Sequence, residues 1–265
     1  MTSKYKAKKL KKIPSILILS FLINLGSTLH SVAQIKEKSV LVLFENKGHH
    51  KPFTDRAVPW LQQLAKDSLW QMTFITDVNK LNSNYLKDFQ LILQLDYVPY
   101  GWSDSAKAAF RNYIETGSGG WIGLHHAGLL GDFDGFKMWP WFADFLGGIQ
   151  YRNYIPGFAA GTVNNENNTH PVMKGLPDTF TIHKEEWYTW DQSPRFRVQI
   201  LASVDEHSYR PDSEIKMGDH PVIWTNGDAK SKNVYIFMGH DPALFDNPNF
   251  VRILMNAICW AISNS

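Results

Sequence analysis

Short apolar runs that alternate with amphipathic segments constrain the fold of this chain more than any other feature of its sequence. Residues 39–44, SVLVLF, form a continuous apolar run, which is typical of a strand buried on both faces of a parallel sheet. Apolar residues then recur at helical spacing between Asp55 and Asp67. The cycle repeats with strands predicted at 72–76, 89–95 and 121–124 and a helix predicted at 103–116.

Strands that alternate with helices predict an α/β fold with a doubly wound, mostly parallel sheet. In such sheets the crossovers are right-handed, and ligands bind beyond the carboxyl ends of the strands. Later strand candidates indicate an antiparallel extension of the sheet; they lie at 160–163, 198–202, 222–225 and 234–238. Asn247 and Pro248 are typical of a helix start, and the chain shows no repeat or linker, so residues 34–265 are interpreted as a single domain.

The first 33 residues have the pattern of a secretory signal peptide. Six lysines precede the apolar run at 13–25, and Ser31-Val32-Ala33 offers a small-x-small cleavage site. The run is interrupted by polar residues and is shorter than the ~20 residues that a membrane-spanning helix needs. We therefore expect export to the periplasm or beyond, a mature chain that begins at Gln34, and no stable membrane insertion after cleavage.

The composition of the mature chain excludes some classes of function. Without the leader lysines the chain is mildly acidic, which argues against a nucleic-acid partner. Cys259 is the only cysteine, so an intramolecular disulfide is impossible. Ten tryptophans, ten tyrosines and sixteen phenylalanines exceed what one core needs, and aromatic faces suit the C–H edges of sugar rings. A dense aromatic core is the alternative interpretation.

Polar residues follow three of the predicted strands. They are His49 and His50 after the first strand, His125 and His126 after the fourth, and His240 and Asp241 after the strand at 234–238. Because the carboxyl ends of the strands meet at one edge of a doubly wound sheet, we expect these groups to converge in a crevice. Each histidine taken alone could instead cap a turn or lie in solvent.

Neighbouring side chains diverge along an extended backbone, so two adjacent histidines are not both expected in the pocket. We expect His125 to point into the crevice and His126 to point away from it. The turn geometry at the strand end, rather than any motif, supports this choice.

The segment HKEEWYTW, residues 183–190, places two carboxylates among aromatic side chains. Glu185 and Glu186 stand beside Trp187 and Tyr188, an arrangement that can bind a polyol through hydrogen bonds and ring stacking. A partly desolvated glutamate can also serve as a base. The alternative is a loop with solvated acids.

Four motifs, in order, carry a resemblance to a known family. They are GGWIGLHHAG, HPVMKGLPDTFTIHKEEWY, HPVIWTNGDAKSKNVYIFMGHD and NPNFVRILMNAICWA. Together they resemble the ThuA-like (trehalose utilisation) family over about residues 40–261. The resemblance implies a flavodoxin-like fold of the class I glutamine amidotransferase-like superfamily and a role in the use of trehalose or other glucosides. Where the family often has DE-x-Y, this chain has Glu185-Glu186-Trp187-Tyr188.

The amidotransferase relatives have a cysteine nucleophile in a G-x-C-x-G turn, whereas this chain has His125 at that position. We expect Cys259 to be a small buried residue of the last helix and no substitute. Thiolate chemistry, and with it glutaminase activity, is therefore excluded. Gly239-His240-Asp241 resembles the place where those relatives keep their catalytic histidine.

Three functions remain open. The first is an enzyme that acts on a glucoside or keto-sugar by isomerisation or β-elimination, with Glu186 and a histidine, either His125 or His240, as acid and base. The second is a sugar-binding module with a degenerate site. The third is a variant with a divalent metal held by histidine and carboxylate, although no spacing motif such as H-E-x-x-H assigns its ligands. The residues assigned to substrate binding are His50, His126, Glu185, Trp187, Tyr188 and Asp241.

Overall fold

The computed structural model describes residues 38–263 of the chain. The predicted signal peptide, residues 1–33, and the expected new N-terminus at Gln34 lie outside the described residues. Between residues 38 and 263, no helix has the length and apolar character needed to cross a membrane.

The parallel half of the sheet is built from the apolar runs of the sequence. Its strands are β1 Ser39–Leu43, β2 Gln71–Ile75, β3 Leu91–Gln94 and β4 Gly120–Leu124, which the late strand β11 Asn233–Ile236 joins. β1 pairs in parallel with β2 and β3, β3 with β4, and β4 with β11. The carboxyl ends of these strands therefore lie at one edge of the sheet.

The antiparallel extension is confirmed. It contains β10 Pro221–Thr225, β9 Gln199–Arg210, β6 Ala159–Asn165 and β7 Thr179–Glu185. Among the described residues these strands complete a nine-stranded sheet in the order β2-β1-β3-β4-β11-β10-β9-β6-β7. The predicted fold class, a doubly wound and mostly parallel sheet with an antiparallel extension, is correct.

Three strands were not predicted from the sequence. β7 belongs to a region interpreted as irregular, yet its residues alternate between buried and exposed from Phe180 to His183. The other two, β5 Tyr151–Tyr154 and β8 Tyr188–Trp190, are short and pair only with each other in a separate antiparallel ribbon. Strands of three or four residues carry too little alternation to be recognised.

Helices cover the faces of the sheet. They are α1 Lys51–Ser68, α2 Ser83–Leu86, α3 Asp104–Thr116, α4 Pro140–Phe145 and α5 Pro248–Ile262. The predicted signals hold at both ends of α3, where the Ser103 side chain accepts a hydrogen bond from Ala106 N and Gly117 adopts a left-handed conformation. Asn247 caps α5 in the same way, with Pro248 in its first turn.

The structure contradicts one expectation, which concerns Cys259. It lies on α5 but is exposed, so the expectation of a buried residue is wrong. α5 contributes no residue to the histidine-lined cleft described below.

Candidate active site and metal centre

A cleft of about 460 Å³ opens at the carboxyl edge of the parallel strands. Its polar lining includes His49, His50, His126, Glu186 and His240. Phe133, Tyr151, Tyr154, Phe158 and Tyr188 supply aromatic walls. The lining of the cleft therefore combines polar and aromatic side chains.

His125 lies beneath this cleft at the end of β4 and is fully buried. Its φ of +42° is uncommon for a residue other than glycine and turns the chain sharply out of the strand into a 3-10 helix, His125–Gly128. The hydroxyl of Tyr235 donates a hydrogen bond to the His125 carbonyl at 2.7 Å, which holds the turn from β11. His125 thus lies at the end of the strand, as expected from the sequence, but it is buried beneath the cleft and does not line it.

The expectation that His126 points away from the crevice is wrong. Its ring lies on the same side as that of His125, with the two rings nearly parallel at 7° and their centroids 5.3 Å apart. The centroid of His126 is also 3.7 Å from that of His50, and His126 lines the cleft. The argument from alternating side chains fails because the backbone is no longer extended beyond Leu124.

Three further segments bring polar groups to His125. His50 precedes α1, His240 follows β11, and Glu186 lies between β7 and β8. The Oε2 atom of Glu186 is 3.2 Å from His240 Nδ1 and 3.8 Å from His125 Nε2. One ligand atom from each of these four residues can be chosen so that all four atoms lie within 4.8 Å of one another.

The imidazole atoms that face this cluster lack hydrogen-bond partners. His50 Nε2 and His125 Nε2 are buried and have no hydrogen bond within the described part of the chain. His240 Nδ1 is also buried, and its 3.2 Å contact with Glu186 Oε2 does not have the geometry of a hydrogen bond. Buried polar atoms are normally satisfied, so three orphans at one point need an explanation. His125 Nδ1 lies 3.1 Å from the Phe237 carbonyl, which only accepts, so Nδ1 carries the proton and Nε2 presents a lone pair to the cluster.

The electrostatics of the cluster favour a neutral His50 beside an ionised Glu186. Burial, aided by the neighbouring histidines, lowers the pKa of His50 far below its usual value, and burial also lowers the pKa of His126. Burial by itself would raise the pKa of Glu186, but its contacts with His125 and His240 outweigh this effect and lower it. Burial together with the Glu186 charge raises the pKa of Tyr188, so its hydroxyl remains protonated.

Three imidazoles and one carboxylate are a donor set that suits zinc or a similar divalent transition metal. Two ligands at about 2.1 Å from one tetrahedral ion lie about 3.4 Å apart, so atoms as far apart as 4.8 Å would have to close by more than ~1 Å on binding. The four residues come from four separate chain segments, which is why no local spacing motif predicts them.

Two residues predicted to bind substrate lie in the interior instead. Trp187 is fully buried, stacks on Phe237, and donates a hydrogen bond from Nε1 to the Ala159 carbonyl, so it offers no face to a sugar. Glu185 is also fully buried, and its carboxylate accepts backbone N–H bonds, including one from Gly239. Tyr188, in contrast, lies on the cleft wall as expected.

Asp241 is engaged elsewhere. Its side chain is 6% exposed, forms an ion pair with Lys184 at 2.6 Å and accepts a hydrogen bond from Ala243 N at the start of a 3-10 helix. It lines a neighbouring cleft rather than the one that holds Glu186. Sequence reasoning missed Phe133, Tyr151, Tyr154 and Phe158 as wall residues, although the aromatic density of this region was a signal.

Comparisons with known proteins identify the family of this chain and support its fold. The model of the ThuA family, described as trehalose utilisation, matches residues 39–261. A ThuA-like protein from Bacteroides uniformis is 29% identical, with a TM-score of 0.77 over 86% of this chain and 92% of its own. A ThuA-like protein from Parabacteroides merdae is 19% identical, with a TM-score of 0.63 over 86% and 90% of the two chains, and shares the fold. No curated protein sequence matches.

Proposed function

This chain belongs to the ThuA (trehalose utilisation) family, and we propose that it is an exported, metal-dependent enzyme that acts on a glucoside or keto-sugar. Family membership supports a role in carbohydrate utilisation. The observation that carries the metal is the convergence of three unpartnered imidazole nitrogens and one carboxylate oxygen. The leader-like sequence at residues 1–33 supports export.

In this proposal His50, His125, His240 and Glu186 hold a divalent cation. Bound there, the cation supplies a Lewis acid for a carbonyl or hydroxyl oxygen of the sugar. The hydrogen bond from His125 Nδ1 to the Phe237 carbonyl orients that ring and directs its other nitrogen to the centre of the cluster. Metal ligation thus replaces the acid and base roles first assigned to His125, His240 and Glu186.

The proton is moved by a residue outside the four ligands. His126 lines the cleft directly beside them, so its imidazole is placed to accept a proton from a bound sugar. It takes the proton from the carbon next to the sugar carbonyl, and the electron pair moves onto the carbonyl oxygen. Return of the proton to the former carbonyl carbon, with transfer of the α-hydroxyl proton to the former carbonyl oxygen, gives an isomer. If the electron pair instead returns from the oxygen and expels a group β to the carbonyl, which leaves with the proton, the result is elimination.

The aromatic walls hold the sugar during this reaction. Tyr154 is 37% exposed, and Tyr151 stands beside Tyr188 with ring centroids 5.2 Å apart. These rings offer stacking surface, while the hydroxyl of Tyr188 lies close to Glu186 and can donate to a sugar oxygen. The ribbon of β5 and β8 therefore forms the substrate wall, and the strand ends form the reaction centre.

Metal titration is the direct test. The chain lacking residues 1–33 is stripped with a chelator and titrated with Zn²⁺, Mn²⁺ and Co²⁺ by calorimetry, and retained metal is measured by elemental analysis. We expect one equivalent of a transition metal, and a loss of affinity of at least about 100-fold in His125→Ala and His240→Ala, because each removes a ligand. His170→Ala is the matched control, since it removes a half-buried histidine outside the cluster.

Absence of one-equivalent binding, or equal binding by the ligand variants and the control, would refute the metal centre. Turnover is then tested with keto-sugars derived from trehalose and simple glucosides. Saturable sugar binding without turnover, in the metal-loaded protein, would favour the alternative of a sugar-binding module.

A further inference from the structure

A second carboxylate lies directly behind the cluster. Glu185 is fully buried, and its oxygens accept hydrogen bonds from the backbone N–H groups of Glu186 at 2.9 Å, Gly239 at 3.0 Å and His240 at 3.4 Å. Two of these donors belong to proposed metal ligands. Glu185 therefore contacts the backbone that sets where Glu186 and His240 stand.

Glu185 also lies beside a third ligand. Its Oε1 atom is 3.9 Å from His125 Nδ1, while Glu186 approaches the opposite nitrogen of the same ring at 3.8 Å. The His125 ring is thus sandwiched between two carboxylates, one on each side. Only Glu186 is part of the ligand set, because its oxygen faces the unpartnered nitrogens.

We propose that Glu185 is a positioning residue of the metal centre, which fixes the backbone of two ligands, Glu186 and His240, and packs beside the ring of a third, His125. This inference rests on the metal centre proposed above. It differs from the role in sugar contact predicted from the sequence, because Glu185 acts through His125, Glu186 and His240 and never touches substrate. Partners of this kind are typically worth 10- to 100-fold in metal affinity.

The test compares two buried glutamates. Glu185→Gln keeps the side-chain size but replaces one of the two accepting oxygens with an NH₂ group, which only donates. Glu206→Gln is the matched control, since Glu206 is likewise buried and accepts N–H bonds from Met217 and Gly218 but pairs with His220, outside the cluster. Zinc affinity is measured by competition with a chromophoric chelator, and the melting temperature is measured with and without zinc.

We expect Glu185→Gln to weaken zinc binding by about 10- to 100-fold and to reduce the rise in melting temperature that zinc produces. Glu206→Gln should lower the melting temperature equally with and without zinc and leave zinc affinity unchanged. If the role of Glu185 is purely structural, Glu185→Gln should behave like Glu206→Gln, with a lower melting temperature and unchanged zinc affinity. Zinc affinity in Glu185→Gln within twofold of wild type would overturn the proposal.

Two further outcomes of the experiment can be told apart: failure of the metal site itself and failure of the variant to fold. If wild type binds no zinc, the proposed function fails whatever Glu185 does. If Glu185→Gln does not fold, Glu185→Asp replaces it, because the shorter side chain withdraws its oxygens from Gly239 and His240 while keeping the charge. We then expect zinc affinity several-fold weaker than wild type, and wild-type affinity would overturn the proposal.

Discussion

Gly239→Ala tests whether the close approach of two chain segments holds His125 in place. A methyl group at residue 239 would meet His125 Cβ at 2.8 Å and Leu124 Cβ at 3.3 Å. Both neighbours are Cβ atoms, whose positions are fixed by the backbone, so neither can rotate away. His125 is further held by Tyr235 at its carbonyl and by Phe237 at its ring, so relief requires a movement of the backbone at the strand end.

The expected cost follows from this overlap. Insertion of one methyl group into a well-packed site typically costs about 1–3 kcal/mol. For a domain of this size, each 1 kcal/mol corresponds to about 2–4 °C in melting temperature, so we expect a loss of roughly 4–8 °C for a cost near the middle of that range. Because the displaced residue is a proposed ligand, zinc affinity should fall by at least about 10-fold.

Gly227→Ala is the control for this experiment. A methyl group at Gly227 meets no atom within 4 Å, and the turn there has no left-handed backbone requirement. We expect a change between zero and a gain of about 1 kcal/mol, because alanine reduces the freedom of the unfolded chain. Thermal unfolding in chelator and zinc titration are measured for both variants. Equal behaviour of the two alanine variants would refute the claim that this contact positions His125.

Two other predictions concern pH and processing. Burial raises the pKa of Asp96 to about 7, so the folded protein keeps a proton that the unfolded chain releases near pH 4. The free energy of unfolding should therefore fall as the pH rises from 4 to 7, by at most about 4 kcal/mol. Asp96→Asn should flatten this dependence in urea unfolding with chelator present, and parallel pH profiles for the two proteins would contradict it. Export predicts a mature protein outside the cytoplasm whose N-terminal sequence begins near Gln34, and a full-length cytoplasmic protein would contradict it.

The sequence by itself determined the frame of this protein. The apolar run of β1, the capping residues Ser103 and Gly117 around α3, and the Asn247-Pro248 start of α5 are local signals, and the structure has elements at each. Local signals suffice because strand burial, helix periodicity and caps depend on residues a few positions apart. The sequence also predicted that polar groups at the strand ends would meet, because the parallel strands end at one edge of the sheet.

The tertiary structure decided which side chains face the cleft. The left-handed conformation of His125 turns both it and His126 inward, and no rule of alternation could foresee this. Of Trp187 and Tyr188, adjacent in sequence, one entered the core and the other the wall, because Trp187 stacks on Phe237, a residue 50 positions away in the sequence.

The tertiary structure also decided which residues form the proposed metal site. His50, His125, Glu186 and His240 belong to four segments that only the sheet order brings together. The unpartnered ring nitrogens of the three histidines lack water as a partner because the fold buries them. Burial is a property of the packed molecule and cannot be read from a short stretch of sequence. The residue types of the site were thus readable from the sequence, whereas their distances, tautomers and charges depended on packing.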